Sequence, residues 1–227
     1  MNTKVYINVA VMGNVNSVLN DLLTRVEESG LKDYTNEIYA IVNGDINQID
    51  KSRKWVKWIH ASTSVSGQEF PTLKTIWDSS KSEEPFRVLY LHTKGVSRDN
   101  QNVKDWVDLL SYFNINKWSE RISELNNNDC TGINYGGNPE DINSHPEYWG
   151  YGKAPMHYSG NFWWSNSEHI SKLPDPLVWI PDNDLTRWRV MNEMWLCQIP
   201  TGKYHCAYSS GVDHYVTPYP KEIYEIK

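Results

Sequence analysis

Near the start of the chain, Val5, Ile7, Val9 and Val11 alternate with Tyr6, Asn8, Ala10 and Met12. A period of two predicts a strand, closing here on Gly13. Val18, Leu19, Leu22, Leu23 and Val26 then recur at helical spacing up to Gly30, which suits a helix end. A second strand is expected from Glu37 to Val42, closing on Asn43-Gly44-Asp45, and a third over Trp55 to Ile59. Pro71 falls where a first helical turn begins, and Leu73, Ile76 and Trp77 give that helix an apolar side. The run Val88-Leu89-Tyr90-Leu91 reads as a buried central strand stopping at His92-Thr93-Lys94-Gly95. This order of strands and helices predicts an α/β fold with a mostly parallel central sheet flanked by helices. Ligands in such a fold meet the carboxyl edge of the sheet.

The second half has a different texture. Val103, Trp106, Val107, Leu110, Trp118, Ile122 and Leu125 keep helical spacing and predict two helices, followed by a short strand over Thr131 to Tyr135. From Gly136 to Met156 the chain is rich in Gly, Asn, Pro and His without periodicity, which marks a long loop of the functional kind. Tyr158 to Trp164 reads as a strand, Glu168 to Leu173 and Arg187 to Leu196 as helices, and the Tyr-rich end from Tyr204 as extended. A length of 227 residues suits one domain over 1–227, with its halves at 1–100 and 101–227.

Composition narrows the function. With 22 basic and 28 acidic residues the net charge is −6, so no nucleic acid is expected as a partner. Hydrophobic residues are 39% of the chain, and no apolar run approaches the roughly 20 residues of a membrane span. Cys130, Cys197 and Cys206 form no CxxC pair, which speaks against a disulfide framework or a structural zinc. The N-terminus lacks a signal-peptide layout, so a cytoplasmic location is expected. Against only 4 Phe stand 11 Trp and 14 Tyr, aromatics with a polar handle that suit wet clefts as well as cores.

The tips of the parallel strands are the first candidates for chemistry. Ala10, Val11 and Gly13, then Asn43 and Gly44, then Thr93, Lys94 and Gly95 gather along one edge of such a sheet. Backbone N–H groups and a lysine there can hold an anionic ligand. Gly13 and Gly44 equally serve as plain turn residues. Tyr158, Asn161, Trp163 and Trp195 are the polar-aromatic candidates of the second half. Trp163 and Trp164 would point to opposite faces of a strand, so only one of them can line a given cleft. No Gly-x-Ser-x-Gly elbow surrounds Ser159, and His-Glu-x-x-His is absent.

Glu69-Phe-Pro-Thr-Leu, Val88-Leu-Tyr-Leu-His-Thr-Lys-Gly-Val-Ser, His157-Tyr-Ser-Gly-Asn-Phe-Trp-Trp-Ser and Asn192-Glu-Met-Trp carry a resemblance. Together they resemble small glycosyltransferases of bacteria and of large algal (chlorella) viruses, over most of the chain. The resemblance implies a GT-A-like domain, with a nucleotide-sugar-binding first half and an acceptor-binding second half. The implied reaction moves a hexose or pentose from a nucleotide-diphosphate sugar to a glycan or glycoprotein acceptor, in the host cytoplasm if the source is a virus. It assigns Ala10, Val11, Gly13, Asn43, Gly44, Thr93, Lys94 and Gly95 to the donor, and Tyr158, Asn161, Trp163 and Trp195 to the acceptor. Catalytic candidates are Glu193, Asp182 and His92; Glu193 is the first choice as base, with Asp182 and Asp184 as rivals. An exposed helix carboxylate paired with Arg189 is the plain alternative for Glu193.

GT-A enzymes commonly carry Asp-x-Asp where this chain has His92-Thr93-Lys94. Either Lys94 neutralises the diphosphate itself, or His92 joins His214 or a distant carboxylate around a Mn²⁺ or Mg²⁺ ion. A divalent cation is therefore compatible with the chain but not demanded by it. Two other functions share the same features: a non-catalytic carbohydrate-binding protein, and a nucleotide-sugar hydrolase using water as acceptor.

Overall fold

The computed structural model describes residues 1–98, 100–138, 155–179 and 191–225. Its centre is a seven-stranded sheet in the order β3-β2-β1-β4-β8-β5-β9. The first strands are β1 (Asn2–Ala10), β2 (Glu37–Asn43), β3 (Lys57–Ser62) and β4 (Phe86–His92), all parallel. Helices α1 (Val15–Glu28), α2 (Leu31–Tyr34) and α3 (Phe70–Ser82) make the crossovers between them. The second half contributes α4 (Gln101–Ser111), α5 (Trp118–Glu124), β5 (Cys130–Ile133) and a small ribbon of β6 (Tyr135–Gly136) with β7 (His157–Tyr158). Then come β8 (Trp163–Asn166), α6 (Ser167–Ile170), α7 (Pro176–Trp179) and β9 (Tyr204–Tyr208). Strand β8 runs antiparallel to both β4 and β5, while β9 is parallel to β5. Every strand of the large sheet except β8 thus runs the same way, so the expectation of a mostly parallel α/β sheet flanked by helices holds.

Alternation along the strands sorts two cores. Val5, Ile7, Val9, Leu89 and Leu91 face α1 and α4, with Trp164 in the same cluster. Tyr6, Val88 and Tyr90 face the other way, against Leu73 and Ile76 of α3, with Trp163 and Trp195. Tyr6 stacks on Tyr39 at 4.9 Å and Tyr90 on Trp163 at 4.9 Å, so this layer is an aromatic pile capped by α3.

Two expectations shift, and a third gains detail. The third strand begins at Lys57, because the buried Val56 closes a turn on Arg53 instead of extending the strand. The two helices expected after Val103 are present as α4 and α5, and what is added is the π-helical segment between them, Tyr112–Asn116, where the Asn114 carbonyl turns to accept the Trp164 indole N–H at 2.9 Å. The strand expected over Tyr158 to Trp164 is cut in two, since Gly160 and Asn161 adopt φ of 93° and 54°. A helix over Arg187 to Leu196 is present where described, as a turn at 191–194 followed by the 3₁₀ segment Trp195–Cys197.

Candidate active site

Strand β1 is flanked by β2 on one side and β4 on the other, so the chain reverses its winding between β1 and β4. Loops leaving the carboxyl ends of β1 and β4 part there and leave a crevice. A cleft of about 680 Å³ occupies that place. Its floor carries Asn8, Ala10 and His92; its walls carry Glu69 and Gln68 before α3, Lys94 to Arg98 after β4, Trp106 of α4, Glu193 and Tyr215.

The cations keep to the α4 wall. Lys94 Nζ lies 3.7 Å from the centre of the Trp106 ring, and the Arg98 guanidinium 5.0 Å from that of Tyr215. Thr93 is buried and its hydroxyl accepts from the Ala10 N–H at 3.1 Å, which ties the ends of β1 and β4 together. The carboxylates keep to the α3 wall. Glu69 Oε2 accepts from the Tyr90 hydroxyl at 2.6 Å and from the Asn161 amide, and its Oε1 lies 3.7 Å from His92 Nδ1. His92 Nε2 is 3.0 Å from the Gly160 carbonyl. Burial, with the charges of Glu69 and then Glu193 beside it, pushes the Tyr90 hydroxyl well above its ordinary value, so it stays a hydrogen-bond donor. Glu193 also lines the cleft, in the segment that leads into Trp195 and Leu196 of the α3-side core.

Of the expected donor residues, Ala10, Thr93, Lys94 and Gly95 line the cleft. Asn43 is buried beneath its floor, bonded to Asn8. Val11, Gly13 and Gly44 are not among the lining residues. A Cβ on Gly13 would lie 2.0 Å from the Val96 carbonyl, so that glycine lets the β1 and β4 loops touch. Of the catalytic candidates, His92 and Glu193 meet in the cleft. Asp182, with Asp184, Arg189 and the loop tryptophan Trp149, lies outside the described residues.

The acceptor set is corrected. Tyr158, Trp163 and Trp195 are each 1% exposed and belong to the core. Their polar handles serve the protein itself: the Tyr158 hydroxyl donates to the His205 carbonyl, and the Trp195 indole to that of Pro174. Trp163 donates to Asn161 Oδ1 at 2.9 Å, which turns the Asn161 amide nitrogen toward Glu69. Asn161 is buried too, so it supports the site from behind. Trp164, also buried, lies in the opposite core. Neither tryptophan of the pair lines the cleft.

The two histidines offered as metal ligands are held apart in their contacts. His214 is buried against Trp106, with Nε2 2.8 Å from the Ser210 hydroxyl, and does not line the cleft. Burial and the Lys94 charge hold it toward neutral, against the pull of Asp213. Among the described residues no three His, Cys, Asp or Glu side chains cluster as metal ligands would.

Glu69 is the site residue that sequence reasoning missed. It stands at the head of a motif quoted for the family resemblance, but as a single carboxylate before a helix it carries no distinguishing spacing. Only the register of β4 and the broken strand at Gly160 bring it to His92.

Fold and site together define an α/β protein with a polar cleft at the switch point of its sheet. No family model matches the sequence, and no curated protein matches it. Solved structures do. A 4-diphosphocytidyl-2C-methyl-D-erythritol synthase from Anaerococcus prevotii DSM 20548 shares 11% identity, over 97% of this chain and 94% of that one, at a TM-score of 0.44. A CMP:2-keto-3-deoxy-manno-octonic acid synthetase complexed with CTP shares 8%, over 92% and 90%, at 0.47. These are likenesses of overall chain path and do not bear on the residues of the cleft. No helix among the described residues is long and apolar enough to cross a membrane.

Proposed function

We propose that this protein is a glycosyltransferase that moves a sugar from a nucleotide-diphosphate sugar to a glycan or glycoprotein acceptor. The observation that supports this most is the division of the cleft: Lys94 and Arg98 on one wall, Glu69 and Glu193 on the other. Transfer needs that polarity. The acceptor oxygen bonds to the anomeric carbon as the bond from that carbon to the diphosphate breaks. The diphosphate leaves with the electron pair, and the acceptor proton passes to a base. Cations at the leaving group stabilise the charge that develops there. Glu193 is the base in this reading. The segments that resemble those of small glycosyltransferases are the second support for this reading.

In this reading the positive charge at the diphosphate comes from Lys94 and Arg98. A Mn²⁺ or Mg²⁺ ion, where one is used, would be held by a cleft carboxylate, since the chain has no Asp-x-Asp after β4, and would supply further positive charge to the leaving diphosphate.

Calorimetry with UDP, GDP, CDP and ADP tests the proposal. One of them should bind, and Lys94→Ala should weaken it about tenfold or more while leaving the matching nucleoside unchanged. Glu193→Gln should bind like wild type and lose turnover. No binding of any diphosphate at millimolar concentration would sink the proposal, and an equal loss for nucleoside and diphosphate would remove Lys94 from the phosphate site.

A further inference from the structure

One corner of the cleft holds polar groups whose hydrogens are already allotted. The Gly160 carbonyl can only accept, so the His92 Nε2 that meets it at 3.0 Å carries the hydrogen. Nδ1, the other ring nitrogen, takes part in no hydrogen bond among the described residues. Opposite it, at 3.7 Å, stands Glu69 Oε1. The other oxygen of that carboxylate is taken by Tyr90 and Asn161. Glu69 Oε1 and His92 Nδ1 thus face each other beyond hydrogen-bond distance, with room for a ligand hydroxyl beside them.

The third member is Asn8, the registered neighbour of His92 across the β1–β4 ladder. Its Oδ1 accepts from Asn43 Nδ2 and from the Thr72 hydroxyl, each at 2.9 Å. The Gln68 carbonyl also takes Asn43 Nδ2, at 3.3 Å, which fixes that amide as the donor. Asn8 is therefore turned with its own Nδ2 as the group left to give, and no partner for it occurs among the described residues. Asn8 is only 3% exposed, yet it lines the cleft. The corner presents the Asn8 donor and the Glu69 acceptor beside the His92 ring, and each is braced from behind by buried groups.

We infer that Asn8, Glu69 and His92 form a subsite for a sugar ring hydroxyl. The ligand O–H donates to Glu69 Oε1 beside the His92 ring, and its oxygen accepts from Asn8 Nδ2. No bond is made or broken there. Glu69 is a specificity-determining residue, distinct from the base Glu193. The inference rests on the glycosyltransferase reading. It adds where a hydroxyl is recognised and why a ring lacking that hydroxyl binds poorly: Asn8 Nδ2 and Glu69 Oε1 would be left without partners.

The test compares UDP and GDP with UDP-glucose and GDP-mannose, and adds methyl glucoside in the presence of the diphosphate that binds. Glu69→Gln keeps an acceptor for Tyr90 and Asn161 but loses the free carboxylate oxygen. It should leave diphosphate affinity unchanged and lower affinity for the sugar-bearing partner about tenfold. A loss confined to the nucleotide sugar assigns the hydroxyl to the donor, and one confined to the glucoside assigns it to the acceptor. His92→Gln, which can still donate to Gly160, should repeat the pattern. In wild type, ¹⁵N spectra should show the His92 Nδ1 signal shifting when the sugar binds. If diphosphate and sugar ligands bind both variants as they bind wild type, the inference falls and the glycosyltransferase reading stands. If wild type binds no diphosphate at all, both fall together.

Discussion

Gly160 and Asn161 do their work through groups that face away from solvent. One supplies a carbonyl to His92 and the other an amide to Glu69, and both need φ in the left-handed region to do it. At Gly160 the requirement is also steric: an added Cβ would lie 2.8 Å from Leu110 Cδ1 and 3.0 Å from Trp106 Nε1. Gly160→Ala should therefore cost about 1–3 kcal/mol of stability, from strain at φ of 93° and from contact with α4. Denaturant titration measures it; an unchanged midpoint would mean the loop has room to turn. The sequence marks this pair as a place of close approach. It does not show that the approach is to the protein's own helix and histidine.

At the scale of elements, the parallel βα half was legible because hydrophobic alternation and helical spacing report directly which face is buried. The strands β1, β2 and β4 lie where they were expected, and the tips after β1 and β4 do meet at the cleft. The second half was harder to read. Strand β8 has only the residues Trp163–Asn166, and its two tryptophans serve opposite cores, so an aromatic pair looked like a binding motif. Polar handles on Tyr and Trp do not reveal whether they meet a sugar or a backbone carbonyl. Here the tryptophan of the inner face is structural in a testable way. Trp164 is the donor to the Asn114 carbonyl in the π-helical segment, and Trp164→Phe would leave that buried carbonyl unpaired. A loss of about 1–3 kcal/mol is expected in chemical denaturation. A negligible change would mean the segment re-forms its own backbone bond.

Across the whole molecule, the two rims of the sheet differ in purpose. The carboxyl rim opens into the cleft, while the amino rim is pinned by charge. Lys4 of β1 is buried between Glu37 at the start of β2, 2.9 Å away, and Glu83 after α3. Hydrogen bonding from Lys57, with Lys4 and Tyr39 adding to it against the effect of burial, lowers Glu37 from 4.5 to about 2. In the unfolded chain Glu37 titrates near its ordinary value. Its contribution is complete above pH 4.5 and is lost as pH falls toward about 2, where the folded carboxylate finally takes its proton. The denaturation midpoint of wild type should fall more steeply over that window than that of Glu37→Gln. Parallel slopes would show that the amino rim does not govern acid unfolding.

The reversed strand β8 also sets an order of assembly. The unit from β1 to β4 lies within the first 92 residues and can close as the chain leaves the ribosome, because each of its crossovers is local. Strand β8 pairs with β4 across a long intervening stretch, in the register Leu89 to Trp164, and it follows directly after Gly160 and Asn161. Until it docks, His92 and Glu69 have no partners from that loop. The nascent N-terminal half would therefore hold a sheet and an open edge, with its polar corner unset. The chemistry of the cleft becomes available only when synthesis has passed the second half of the chain.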